Sequence, residues 1–208
     1  MNDRYRVLVL PGLGNSGPEH WQSHWERRDP SCQRVLQENW NTPHCADWVD
    51  RLDEVISRQS APVVLAAHSS ACAQVAHWAS TAPAIHLARV RGALLVAPSD
   101  PGHPNYPAGP TGFGPLPLAH LPFASLVVAS SDDPYIAPEH ARRYAEAWGS
   151  RFVLLQDAGH INAAGGFGPW PEGYAMLESL RAVLPPAGQP SGPADVPPMN
   201  AGARSSVP

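Results

Sequence analysis

A short apolar run that ends at a serine constrains this chain more than any other stretch. Residues 63–67 have the length and composition of a buried strand, Ser69 follows almost at once, and a helical pattern begins directly after it. Strand, sharp turn and helix in this order hold a serine hydroxyl exposed on a strained backbone, as the G-x-S-x-G pattern does. Ala67 and Ala71 stand where that pattern has glycine, and because both are small, the chain retains the turn.

Composition indicates one soluble domain with a sizeable core. Of 208 residues, 43% are hydrophobic, and no apolar run approaches the ~20 residues of a membrane span. The N-terminus lacks a signal-peptide pattern, so we expect a cytoplasmic protein. A net charge of -4 without a basic cluster argues against nucleic acid and anionic membranes as partners. Cys32, Cys45 and Cys72 lack metal or redox spacing, which indicates reduced, mostly buried thiols.

Strand and helix patterns alternate along the chain. The predicted strands are residues 6–10, 34–37, 63–67, 92–97, 126–129 and 152–155. Helices are predicted to begin near Pro18, near residues 41–43 and after Ser69, and to cover residues 138–148 and 171–184. Residues 98–122 are proline-rich without periodicity, which indicates a long surface loop that borders or covers a site. We therefore predict one domain over residues 1–185 and a disordered Pro/Gly/Ala/Ser-rich tail over residues 186–208.

Six short strands separated by helices predict the α/β class, specifically a doubly wound, mostly parallel six-stranded sheet with helices on both faces. In such sheets ligands bind beyond the carboxyl ends of the strands. Four loops that carry chemistry-bearing side chains follow strand ends, at residues 11–17, 69, 131–135 and 159–168. We expect these loops to meet at one edge of the sheet.

A serine at a strand end needs a base, because a hydroxyl at neutral pH is a poor nucleophile. His160 follows a glycine after the sixth strand and is the candidate base. The imidazole in turn needs a carboxylate to fix its tautomer and stabilise its cation. Asp132 and Asp133 both follow the fifth strand; we prefer Asp133, which precedes a proline, and Asp132 stays open as the alternative. The chain order is Ser69, Asp133, His160.

An acyl-transfer site also needs hydrogen-bond donors for the tetrahedral oxyanion. The backbone N–H of Ser70, directly after the serine, is one candidate. The loop after the first strand offers a second at Leu13 or Gly14, of which we prefer Leu13. Both residues have a competing interpretation as parts of a tight turn.

Together these residues resemble the small serine hydrolases of the retinoblastoma-binding-protein-nine type, a compact α/β-hydrolase family. The resemblance covers residues 5–184. It is carried by Pro11-Gly12, Trp40 with Pro43 and Trp48, His68-Ser69-Ser70, Ser131-Asp132-Asp133-Pro134, Gly159-His160-Ile161-Asn162, and Gly166-Phe167-Gly168-Pro169-Trp170. It implies an α/β-hydrolase fold and a triad of Ser69, Asp133 and His160.

Several residues have structural alternatives. Ser69 alone would suit a helix N-cap, although a cap does not explain an aspartate and a histidine at other strand ends. His20 and His24 have a spacing that can hold zinc, but no third ligand follows, so we predict no metal. Cys72 is expected to be a buried thiol. Four residues are weaker candidates for substrate contacts, and their alternative is packing or turn formation: Gly14, His68, Phe167 and Trp170.

The sequence thus predicts a serine hydrolase that cleaves a small acyl ester through an acyl-serine, with an amide or thioester as alternatives and without a cofactor. Its predicted partner is the small-molecule acyl substrate, no protein partner is indicated, and a monomer or weak dimer is expected. The competing hypothesis is a protein-binding module that keeps this fold while the triad stays idle.

Overall fold

The computed structural model describes residues 5–182, so the predicted tail and the end of the last predicted helix lie outside the described residues. The strands are β1 (Arg6–Leu10), β2 (Cys32–Arg34), β3 (Val63–His68), β4 (Val90–Val96), β5 (Ala124–Ser130) and β6 (Arg151–Leu155). The helices are α1 (Trp21–Arg28), α2 (Cys45–Ser57), α3 (Ser70–Thr81), α4 (Ala84–Leu87), α5 (Pro138–Trp148) and α6 (Pro171–Ala182), with one 3₁₀ turn at Ala163–Gly165.

The six strands of the described range form one sheet in the order β2-β1-β3-β4-β5-β6. Every pairing between them is parallel, which confirms the predicted doubly wound sheet and extends "mostly parallel" to all of its strands. The strand order reverses direction beside β1, because the chain runs outward to β2 and returns to β3 on the other side. Ligands of doubly wound sheets bind at this kind of reversal.

Helices cover both faces of the sheet, and alternate strand residues supply two separate cores. Leu8 and Leu65 point into one core, together with buried side chains of α2, α3 and α5. Val7 and Val64 point into the other core, together with Trp21 and side chains of α6. Burial on both faces explains why β3 is apolar from Val63 to Ala67 instead of alternating.

Most element boundaries differ by a few residues from those predicted, helix α4 was not predicted, and three of the differences have a local cause. Helix α1 begins at Trp21 and not near Pro18, because the ring of His20 accepts the Gln22 N–H and caps it. Helix α2 begins at Cys45 because His44 caps it in the same way. Strand β2 ends where the predicted strand begins, at Arg34, since its pairing with β1 covers only residues 32–34.

The long segment between β4 and β5 contains neither helix nor strand, as predicted, but it is not entirely on the surface. Phe113 and Leu121 are buried, and the Phe113 ring packs edge-on against Trp48 at 5.4 Å. The segment is therefore anchored to the core as it crosses from the end of β4 to the start of β5, where the Leu121 N–H donates to the Trp148 carbonyl at 3.0 Å. Across residues 5–182, no helix has the length and apolar character needed to cross a membrane.

Candidate active site

Ser69 occupies a strained turn between β3 and α3. Its φ of 59° and ψ of -129° are unusual for a residue with a side chain and cost on the order of 1–3 kcal/mol. Its N–H continues the sheet by donating to the Val96 carbonyl at 3.0 Å. The loop after β1 presses on this turn, since a Cβ at Gly12 would lie 2.6 Å from the Ser69 Cβ. Ala67 and Ala71 are both fully buried, so alanine fits where glycine is usual.

The side chains of Ser69, His160 and Asp133 form a continuous hydrogen-bonded relay. His160 Nε2 lies 2.9 Å from Ser69 Oγ, and His160 Nδ1 lies 2.8 Å from Asp133 Oδ2. The Asp133 side chain is fully buried, and 9% of the His160 side chain is exposed. A carboxylate beside Nδ1 fixes the N–H on that nitrogen and leaves Nε2 free to accept the serine proton.

The Asp132 side chain bonds groups other than the His160 ring, and it links the loop after β5 to the loop after β6. It accepts hydrogen bonds from the Ser130 hydroxyl at 2.6 Å and from the Gly159 N–H at 2.8 Å. These donors lower its pKa. Ser130 also accepts the Ala158 N–H at 3.0 Å, so the loop that carries His160 is held by side chains at the end of β5. Of the two aspartates left open by the sequence, Asp133 contacts the imidazole and Asp132 holds its loop.

Two backbone N–H groups near Ser69 have no partner among the described residues, those of Leu13 and Ser70. The N–H of Gly14 donates to the Trp40 carbonyl at 2.8 Å and is therefore occupied. Leu13 and Ser70 both line the cleft at Ser69, which makes them the donors available to an oxyanion.

The cleft around Ser69 has a volume of about 200 Å³. Its lining includes His68, as predicted from the sequence, but not Gly14, Phe167 or Trp170. The Trp170 ring packs instead on Trp21 and Trp25, at 5.5 and 6.0 Å, and Phe167 packs edge-on against Trp170. The other residues of this lining are not predicted as substrate contacts from the sequence, and all lie on loops after strand ends: Asn15, His20, Ser99, Pro107, Tyr135 and Asn162.

Comparison with protein families decides where the chain belongs. A family model described as serine hydrolase matches residues 7–179. The chain belongs to the serine hydrolase family. The small serine hydrolase resemblance inferred from the sequence is thereby confirmed, and so is a hydrolytic function at this general level. No curated protein sequence matches this serine hydrolase.

Solved structures agree with the fold of this serine hydrolase. A YdeN-like hydrolase from Pectobacterium atrosepticum is 33% identical, with a TM-score of 0.76, over 88% of this chain and 95% of that one. The ydeN gene product of B. subtilis is 18% identical, with a TM-score of 0.67, over 86% and 99% of the two chains. An esterase from Thermogutta terrifontis is 17% identical, with a TM-score of 0.63, over 87% and 91%. The last two similarities concern the α/β-hydrolase fold alone.

A second hydroxyl touches the Ser69 oxygen of this serine hydrolase. Ser99, buried just beyond β4, places its Oγ 2.9 Å from Ser69 Oγ. When Ser69 donates its only proton to a neutral His160, the Ser99 hydroxyl must be the donor to Ser69 Oγ. When His160 has taken that proton, Ser69 Oγ has none left to donate, so both His160 Nε2–H and the Ser99 hydroxyl donate to it. Ser99 therefore adds a donor to the oxygen on which negative charge would develop.

Two further histidines, His68 and His20, lie close to His160. His68 Nε2–H donates to the His160 backbone carbonyl at 2.9 Å, and the two rings are 4.9 Å apart. Burial lowers the pKa of His68 well below its ordinary value. Burial, with Arg34 and His160 nearby, lowers the pKa of His20 to about 4. Both rings are therefore neutral near pH 7, so neither adds a positive charge beside His160.

Metal and thiol chemistry find no support within residues 5–182. No group of three His, Cys, Asp or Glu side chains there is arranged to hold a metal ion. His20 is used as a helix cap, and His24 lies 3.6 Å from the Glu19 carboxylate. Cys72 is buried beside the Val96 carbonyl, and burial raises its pKa, so its thiol stays protonated.

Proposed function

We propose that this serine hydrolase cleaves small acyl esters through a covalent acyl-serine, with Ser69 as nucleophile, His160 as base and Asp133 as the residue that orients His160. The observation that carries the proposal is the relay of 2.9 Å and 2.8 Å contacts among these side chains. The positive φ of Ser69 adds support, because strain of this kind is concentrated at reactive sites.

In the first half of the proposed reaction, Ser69 Oγ attacks the acyl carbon while its proton passes to His160 Nε2. The N–H groups of Ser70 and Leu13 donate to the oxyanion. Collapse of the tetrahedral intermediate breaks the bond to the leaving oxygen, which takes the proton from His160. Water then attacks the acyl-serine, gives one proton to His160, and releases the acid as that proton returns to Ser69. No cofactor takes part in these steps.

A fluorophosphonate probe tests the nucleophile directly. We expect the native chain to be labelled and Ser69→Ala not to be labelled, since the probe reacts only with an activated serine. Ser80→Ala is the matched control, because Ser80 is exposed at the end of α3 and its hydroxyl, within residues 5–182, bonds only the His77 carbonyl. Labelling of Ser69→Ala at the native rate would exclude Ser69 as the nucleophile.

The same measurement separates the enzyme from a binding module with an idle triad. A folded native chain that resists the probe and does not hydrolyse p-nitrophenyl acetate would favour the binding module. The proposed substrate is a small-molecule ester, with amides and thioesters to be compared in the same assay. A monomer or weak dimer is the proposed assembly, which sedimentation measurements test.

A further inference from the structure

The cleft at Ser69 is small for a complete substrate. Its volume of about 200 Å³ lies below the roughly 300–1,000 Å³ that ligand pockets usually have. Ser69, His160 and the residues of the two candidate oxyanion donors already line it. This space suits the reacting ester group, so the rest of a substrate must extend into a neighbouring space.

A larger cavity lies between the segment that follows β4 and helix α5. It has a volume of about 610 Å³, and most of its wall is apolar, including Pro101, Phe113, Leu116 and Leu118. Its one carboxylate, Asp100, lies 3.4 Å from the His140 ring. The cavity therefore offers an apolar surface with few polar groups to desolvate.

One tyrosine joins this cavity to the cleft. The Tyr106 side chain lines the cavity, and its hydroxyl lies 3.0 Å from the Ser70 hydroxyl. Ser70 lines the cleft and carries one of the free N–H groups, and Pro107, the next residue after Tyr106, lines the cleft as well. The two spaces are thus adjacent, and Tyr106 lies at the border between them.

Another groove of about 710 Å³, beside α2, suits an apolar chain less well. Its lining includes four carboxylates and one arginine: Glu38, Asp47, Asp50, Glu54 and Arg51. Within the described range, no hydrogen bond connects its lining residues with those of the cleft. The cavity beside Tyr106 therefore suits an apolar chain better than this groove, because it has fewer charged side chains and a hydrogen bond links its lining to that of the cleft.

We propose that the cavity bounded by Tyr106, Phe113, Leu116 and Leu118 holds the apolar acyl chain of the substrate, so that the preferred substrates are esters of medium-length, unbranched fatty acids. We assign the acyl chain to this cavity, and not the leaving group, because the Tyr106 hydroxyl contacts the hydroxyl of Ser70, whose N–H would hold the acyl oxygen. The leaving group must instead lie at His160 Nε2. This inference rests on the proposed ester hydrolysis.

The test is a comparison of kcat/KM for p-nitrophenyl acetate, butyrate and octanoate, which share one leaving group. Each buried methylene can raise kcat/KM by up to about fourfold. We therefore expect kcat/KM for the octanoate ester to exceed that for the acetate ester by at least about tenfold. Leu116→Trp fills the cavity and should reduce octanoate hydrolysis by about tenfold or more while acetate stays within about twofold.

A second variant covers the case in which Leu116→Trp does not fold. Leu118 is 60% exposed, so Leu118→Asp is tolerated and places a charge at the cavity. We expect it to lower octanoate hydrolysis by about tenfold and to leave acetate hydrolysis unchanged. Ile85→Asp is the matched control, since Ile85 is 68% exposed on α4 and does not line the cavity.

The outcomes separate this inference from the proposed function. Normal acetate hydrolysis with a chain-length profile that Leu118→Asp leaves unaltered would overturn the cavity assignment alone. A native chain that neither hydrolyses acetate nor reacts with fluorophosphonate would overturn the proposed function, and the cavity assignment with it. A selective loss of octanoate hydrolysis supports both.

Discussion

At the scale of single residues, Ser99 contacts the Ser69 oxygen and was not predicted from the sequence. It follows the apolar run of β4, which the pattern extends through Ala97, but Ala97 has a φ of 47° and ends the strand before it. Ser99 therefore lies at a carboxyl strand end like the other site residues. Its contact with Ser69 depends on how two adjacent strands are aligned, which one-dimensional patterns do not contain.

Ser99→Ala should lower kcat/KM for p-nitrophenyl butyrate by about 3- to 10-fold, the value of one neutral hydrogen bond of about 0.5–1.5 kcal/mol. Fluorophosphonate labelling should persist, because the relay to His160 remains. Ser99→Thr keeps the hydroxyl and should recover most of the activity. An unchanged kcat/KM in the alanine variant would mean that Ser99 contributes nothing to the reaction.

The neighbouring aspartates give a matched pair of substitutions. Asp133→Asn should reduce kcat by about 10²–10⁴-fold, because an amide beside Nδ1 no longer fixes the tautomer that the base requires. Asp132→Asn retains an acceptor for the Gly159 N–H, so its kcat should fall by less than about tenfold. Steady-state kinetics on both variants measure the difference. Equal losses would contradict the separate roles assigned to these residues.

At the scale of elements, hydrophobic periodicity predicts most strands and helices, and it fails where a local cap or a packing partner decides. The full length of β1 and α5 was predicted, because their apolar residues are bounded by clear turn signals. The starts of α1 and α2 were missed, since histidine caps are uncommon. Trp170 was expected near the pocket because it comes after a glycine-rich run, but its ring is held by α1, a contact between elements far apart in the chain.

The cap of α1 makes stability depend on pH. His20 is buried with a pKa of about 4, whereas an unfolded histidine has a pKa near 6.5. The unfolded chain therefore binds more protons between these values, and the free energy of unfolding falls as pH drops from about 6.5 to 4, by up to about 3 kcal/mol from this residue.

The variant His20→Asn isolates that contribution. Asparagine accepts a backbone N–H at an N-cap as well as histidine does here, but it does not titrate. Urea unfolding at pH 7 and pH 4.5 should show a smaller loss of stability in the variant than in the native chain. Identical losses would show that His20 is not the source of the pH dependence.

At the scale of the whole molecule, the candidate site consists of residues on separate loops, and these loops come together only when the sheet has formed. The order of Ser69, Asp133 and His160 and their strand-end positions could be predicted, because a parallel sheet brings such loops to one edge. The close approach of the β1 loop to the serine turn is a property of the complete packing, and it is visible in the contact between Gly12 and Ser69.

Gly12→Ala tests this approach. A Cβ there would lie 2.6 Å from the Ser69 Cβ, so one of the two loops must move, at a cost of about 1–3 kcal/mol in the free energy of unfolding. We expect at least a tenfold loss of fluorophosphonate labelling. Gly17→Ala is the control, because nothing lies within 4 Å of a Cβ at Gly17. Native labelling and stability in Gly12→Ala would show that the approach is looser than described.

The position of β6 at the border of the sheet has a consequence for how this enzyme fails when heated. β6 pairs only with β5 among the described strands, and its residues are partly exposed, whereas β3 lies in the interior of the sheet between two partners. We expect partial melting to begin at this margin and to displace the loop with His160 while Ser69 keeps its turn. Fluorophosphonate labelling should then be lost on heating before far-UV circular dichroism shows global unfolding, and it should return on cooling; simultaneous loss of both signals would contradict this expectation.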